Sequence, residues 1–343
     1  MSREKPASGR VFVKGVDELM ENVSDRLFST EHLARDGTAR NSVVVVGLPR
    51  SGSSFLSHVL SQVPGWYVFD DLYLARAAKQ ARTTGPLDDK ALDHLLEFLG
   101  WQIWARKRFG TYAMPEVAED EIEPMKEALH KTFSGKSIDW LALQEEWLIR
   151  LAERSGAVNW GYKMPGAFRH LEMLLEAYPG LKIVFLMRAP EKVLASYKHL
   201  PEDSEDGEAD QYHPLTHAVY WRMAAKAWLD AEKRWPDRVM LLRFEDLVAD
   251  PTAAGKSLAA HLGAPIPDVI TAPERPNSSF SGQKGRPSLT WLEQKIIHLI
   301  TGRSRKALGF APPAQSPAKV GVGDFFWTTG RFMRRQATQL VRR

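Results

Sequence analysis

The stretch VVVVGLPRSGSSFLSHVL, residues Val43–Leu60, runs from four β-branched residues through a turn rich in Gly and Ser into an apolar-periodic segment. The valines do not alternate with polar residues, so Val43–Val46 is expected to be a parallel strand buried on both faces. Ser53–Ser61 is expected to be the helix that follows. Gly47 and Gly52 have the separation of a nucleoside-triphosphate loop, but Ser53 stands where that loop keeps its Lys, and Ser54 fills its Ser/Thr position. Both glycines permit tight bending, and the new helix offers unpaired N–H groups to an anion. Arg50 adds a planar fork of donors, and Ser51, Ser53 and Ser54 add hydroxyls. The pattern is an anion cradle without the lysine of an ATPase.

The same logic recurs in FLMRAPEKVLASYKHL, Phe185–Leu200. The apolar run Leu181–Met187 reads as a second buried strand that delivers Arg188 at its end. A helix opened by Pro190 then presents Ser196. Arg188 and Ser196 can grip a second phosphate close to the first. A third strand, Val239–Phe244, leads into Glu245 and Asp246, which read as anchors of the strand end rather than as chemical groups. Strands alternating with helices along one chain predict an α/β fold with a parallel sheet.

Between these segments the periodicity predicts helices over Leu87–Arg108, Ile122–Phe133 and Asp139–Arg154, the last capped by Asp139. Residues 87–154 thus form a helical insertion. Its Trp101, Trp104, Trp140 and Trp147 suit either a core stripe or an apolar acceptor pocket. Further helices are expected over Arg169–Ala177, His217–Lys233, Asp250–His261 and Ser288–Gly302. The segment Pro201–Asp210 holds six acidic residues in ten, and 201–214 reads as a solvated loop or a lid. No linker divides the chain, so residues 1–343 are expected to form a single domain.

Composition narrows the class. The chain has 343 residues, 44% hydrophobic and 26% charged, as in a globular domain. It has no Cys, which excludes disulfides and thiol catalysis. It lacks an apolar run long enough to span a bilayer and lacks a signal-like N-terminus, so a cytoplasmic enzyme without a transmembrane span is expected. The net charge of +4 conceals a basic tail: Thr301–Arg343 carries nine Lys/Arg against one Asp. The tail, residues 311–343, is a candidate amphipathic helix for self-association or for an anionic surface. No recognition motif supports specific binding of nucleic acid.

Taken together, GLPRSGSSFL, IVFLMRAPEKVLASY, VMLLRFEDLVADP and the Lys-x-Pro segment WGYKMPGAFRHLEMLLEAYPG resemble the sulfotransferase family that uses 3'-phosphoadenosine 5'-phosphosulfate, in its bacterial and tyrosylprotein-like branch. The four segments lie between Val43 and Pro251. The resemblance implies a P-loop-like three-layer sandwich with a central parallel sheet and helical insertions. It implies that Arg50, Ser51, Gly52, Ser53 and Ser54 hold the phosphosulfate end of the donor and that Arg188 and Ser196 bind its 3'-phosphate. Lys284 and Arg286, in the Gly-containing loop Asn277–Ser288, are the counterpart of a loop that closes over the nucleotide. No metal is needed if cations and backbone donors stabilise the transferring group.

Arg50 and Lys163 are the side chains expected beside the sulfonate. For the base, the family position falls on Asp70 and Asp71, after the apolar run WYVF, with Asp71 preferred. Partial burial there is expected to raise a carboxylate pKa. His58, His170, His199 and His213 are alternative bases. The acceptor is expected to be a small, partly hydrophobic molecule bearing a hydroxyl or an amine. A small-molecule or nucleoside kinase with a degenerate loop and a non-catalytic nucleotide-binding protein are the rival classes.

Overall fold

The computed structural model describes residues 40–80, 85–109, 117–198, 212–264, 289–311 and 322–341. Five strands form one parallel sheet: β1 (Ser42–Gly47), β2 (Trp66–Phe69), β3 (Asn159–Lys163), β4 (Leu181–Met187) and β5 (Val239–Arg243). Their order is β2-β3-β1-β4-β5, with β1 at the centre, paired to β3 on one side and β4 on the other. That position explains the unbroken valine run. Val44 and Val46 enter the apolar core on one face, and Val43 and Val45 enter the core on the other.

Helices α1 (Ser53–Ser61), α9 (Phe244–Ala249) and α10 (Pro251–Leu262) cover the Val43/Val45 face, through Leu56, Leu60, Leu247, Leu258 and Leu262. The opposite face carries α2 (Leu74–Gln80), α3 (Asp89–Phe109), α4 (Ile122–Phe133), α5 (Trp140–Arg154), α6 (Leu171–Ala177), α7 (Pro190–Lys198), α8 (Pro214–Arg234) and α11 (Trp291–Ala307). A last helix, α12 (Val322–Val341), follows. The result is the expected three-layer sandwich. The helices α3, α4 and α5 bury Leu92, Leu95, Leu99, Ile103, Leu129, Trp140 and Trp147 in the larger core. Asp139 caps α5, as the sequence suggests, accepting from the amides of Leu141 and Ala142 at 2.9 and 3.0 Å.

Several readings change at the edges of elements. The run WYVF is the edge strand β2, with all four residues buried. The helix expected from Arg169 is a short 3-10 turn, Pro165–His170, leading into α6. The helix expected from His217 begins at Pro214, where proline fits the first turn. The helix expected from Ser288 begins at Trp291, after Thr290 closes a capping box with Glu293. Among the described residues, no helix is long and apolar enough to cross a membrane.

Candidate active site

The sheet order places the loop after β1 at the carboxyl ends of the strands, where the chain turns from one side of β1 to the other. Open parallel sheets bind ligands at such points. At Gly47 a Cβ would strike the carbonyl of Leu186, so only glycine lets β1 and β4 close together there. Arg50 then adopts φ 70°, a left-handed conformation that costs a side-chain-bearing residue energy. Gly52, at φ 92°, enters α1, and a Cβ there would drive into the ring of Phe244.

These turns bring three separate segments together. Arg50 Nε donates to Ser196 Oγ at 3.3 Å. Arg188 donates from one terminal nitrogen to the Arg50 carbonyl at 3.2 Å, and its guanidinium lies 4.8 Å from the centre of the Phe244 ring. The Ala189 amide donates to Glu245 Oε1 at 3.1 Å, the anchoring role expected of that residue. Trp221 Nε1 donates to the Arg188 carbonyl at 2.9 Å. Burial pulls the Arg188 guanidinium below its ordinary pKa, with Glu245 opposing and Arg50 adding to the shift. Two guanidinium groups and one carboxylate leave a local excess of positive charge. Ser51 Oγ is buried and has no hydrogen-bond partner among the described residues. Its free hydroxyl, the N-terminus of α1 and the excess charge fit an anionic ligand.

A second cluster lies beside the first, joined to it through Ser54. Lys163, at the end of β3, is buried, and its Nζ donates to Ser54 Oγ at 2.9 Å. The same nitrogen lies 3.0 Å from Asp70 Oδ1 and 2.5 Å from Asp71 Oδ1. Arg106, from α3, reaches Asp71 Oδ2 at 3.2 Å and Asp70 Oδ2 at 3.7 Å. Both aspartates therefore face one site, and their two charges are balanced by two cations.

The carboxylates are held differently. Asp70 accepts from Ser57 Oγ at 2.9 Å. Asp71, at φ 62°, accepts from Tyr73 OH at 2.9 Å, while Gln102 Nε2 donates to its backbone carbonyl at 2.8 Å. Burial alone would raise the Asp71 pKa. Lys163 and Arg106, with the hydrogen bonds from Lys163 and Tyr73, outweigh burial and hold it below the ordinary carboxylate value. The expectation of a raised pKa is thus corrected for Asp71: the burial is there, but so are two cations. Tyr73 is pushed well above its ordinary value by burial and by the Asp71 charge.

Among the alternative bases, His58, His170 and His213 are all held below their ordinary pKa, mainly by burial, His170 at about 4. His199, Lys284, Arg286 and residues 201–211 lie outside the described residues. Of the four insertion tryptophans, Trp140 and Trp147 are core residues, while Trp101 and Trp104 are partly exposed. Arg106, Gln102, Tyr73 and Ser57 escape a motif-based reading. A signal for two of them exists: Gln102 and Arg106 lie one turn apart on α3 and share a side of the helix.

The model of the Sulfotransferase family matches residues 42–268, about two thirds of the chain, and the chain belongs to that family. Its fold is similar to that of the sulfotransferase domain from the Synechococcus PCC 7002 olefin synthase, with a TM-score of 0.54 at 19% identity over 80% of this chain and 96% of that one. It is also similar to the sulfotransferase domain from the curacin biosynthetic pathway, with a TM-score of 0.51 at 14% identity over 80% of this chain and 99% of that one. No curated protein matches the chain in sequence. The family supports sulfuryl transfer in place of a kinase reading.

Proposed function

We propose that the chain transfers the sulfuryl group of 3'-phosphoadenosine 5'-phosphosulfate to a hydroxyl or amine of a small, partly hydrophobic acceptor. The observation that carries the reading is the convergence of Arg50, Ser196 and Arg188 on one side of the α1 N-terminus, with Ser54 and Lys163 on the other. A cationic pocket at Arg50 and Arg188 and a charge-balanced one at Lys163, joined by one serine loop, suit a nucleotide with phosphate at both ends of its ribose. In this reading Ser51, Gly52, Ser53 and Ser54 hold the 5'-phosphosulfate, and Arg188 with Ser196 holds the 3'-phosphate. The same reading gives Lys284 and Arg286 a role in binding the nucleotide.

The acceptor oxygen attacks sulfur, the bond from sulfur to the 5'-phosphate oxygen breaks, and 3'-phosphoadenosine 5'-phosphate leaves. The acceptor proton passes to a carboxylate. We assign that role to Asp70. Lys163 and Arg106 reach both carboxylates, but each lies closer to Asp71, which also accepts from Tyr73 and is held at low pKa. Asp71 then acts as the anchor that orients Lys163. Arg50 and Lys163 stabilise charge on the sulfonate and on the departing oxygen. No step in this reading calls for a metal.

The test is transfer from isotopically labelled donor to a panel of phenols, alcohols and amines. The expected result is labelled product from the parent chain and a loss of roughly a hundredfold or more in Arg50→Ala, the scale for removing one charge-stabilising donor. Transfer by Arg50→Ala at the parent rate, with the fold intact, would overturn the assignment.

A further inference from the structure

The helix α12 has two apolar sides, and the body of the protein covers one of them. Phe325, Thr329 and Phe332, at i, i+4 and i+7, face the start of α8. The Phe325 and Phe332 rings lie 6.1 and 5.0 Å from the His213 ring, and Thr329 Oγ1 lies 3.4 Å from His213 Nε2. The other side carries Phe326, Gly330, Met333 and Ala337 at i, i+4, i+7 and i+11, all exposed. Beside that stripe runs a second, Trp327, Arg331 and Arg334. Phe326 and Trp327 are each 66% exposed and Met333 is 60% exposed, far beyond what a helix packed into a core shows. From Val322 to Arg343 the sequence holds five Arg and one Asp.

We propose that this outer side of α12 docks on an anionic lipid bilayer. Three observations favour a membrane over a protein partner. Exposed Trp and Phe next to Arg are the composition of an interfacial helix, in which aromatic rings enter the headgroup boundary and guanidinium groups meet lipid phosphate. The apolar stripe alternates large residues with Gly330 and Ala337. It therefore lacks the successive large anchors that a protein groove reads from a docked helix. A second copy docked symmetrically on this side would set Arg331 and Arg334 of one helix close to those of the other. The inner contacts with His213 orient the helix so that its outer stripe faces away from the body. At about 1.5 Å per residue, α12 can lie along the surface for about 30 Å.

The test is flotation of the full chain with vesicles of phosphatidylcholine alone or with roughly one third phosphatidylserine. The expected result is co-flotation with the anionic vesicles only, reduced by salt. Phe326→Ser/Trp327→Ser/Met333→Ser is expected to lose binding roughly tenfold or more, with melting temperature and elution volume unchanged. Because these side chains are exposed, the fold does not depend on them, and Arg334→Glu supplies an independent charge test. Equal binding to both vesicle types, or to neither, overturns the proposal. So does a triple variant that floats like the parent, or a parent dimer that this variant converts to monomer.

Discussion

Lys163 carries more of the site than its position in a Lys-x-Pro segment suggests. Its side chain is 3% exposed, and its ammonium touches Asp70, Asp71 and Ser54. Removing it leaves two carboxylates in a partly buried site with Arg106 as their one remaining close cation among the described residues. Lys163→Met is therefore expected to lower unfolding stability by roughly 3 kcal/mol, the scale for breaking a buried ion pair, and to abolish transfer. Urea unfolding and a transfer assay on the same preparation check both parts. Asp70→Asn is the sharper test of the base. It keeps the size and the Ser57 contact but cannot take a proton. It is expected to lower kcat by at least roughly a hundredfold while leaving the KM for donor near the parent value. An equal loss in Asp71→Asn with Asp70→Asn active would exchange the two roles.

At the scale of elements, the turn between β1 and α1 is where backbone conformation and function meet. Gly52→Ala places a methyl group against Phe244 at a positive φ, so a destabilisation of roughly 1–3 kcal/mol is expected, together with weakened donor binding. Thermal melting and calorimetric titration with 3'-phosphoadenosine 5'-phosphate separate the two effects. The elements most legible in sequence are those where composition and burial agree: α1, α4 and β4 have the expected bounds, and β1 extends the expected Val43–Val46 by one residue at each end. The short edge strand β2 was hidden because four buried residues satisfy either a strand or a helix turn. Arg50 and Arg188 were legible because each follows a strand that the apolar runs reveal, and Ser53, Ser54 and Ser196 because they lie on the helices that come next. Arg106 and Gln102 were not, because their contacts depend on how α3 crosses the Asp71 turn, and no local pattern encodes a crossing.

For the molecule as a whole, buried histidines set the acid limit. His170, His217 and His261 are each held at about 4, mainly by burial. In the unfolded chain they bind protons below about 6.5, while the folded chain resists until about 4. The stability they confer is therefore present above about pH 6.5 and lost as pH falls from there through 4. Asp71, also depressed, adds a loss at still lower pH. Glu145 acts in the opposite sense. Burial raises it from 4.5 to about 8, so its contribution is full below about 4.5 and is lost as pH rises from there through about 8. Urea midpoints measured from pH 4 to 9 are expected to peak near about 6.5, where the histidine gain is complete, and to decline from there to about 8 as Glu145 ionises. A midpoint that rises steadily toward pH 4 would contradict this reading.

The most direct measurement is a crystal structure of the chain with 3'-phosphoadenosine 5'-phosphate. The prediction is that the 5'-phosphate lies against Arg50–Ser54 at the start of α1 and the 3'-phosphate lies against Arg188 and Ser196. A nucleotide bound away from that loop, or held there with its 3'-phosphate remote from Arg188 and Ser196, would contradict it.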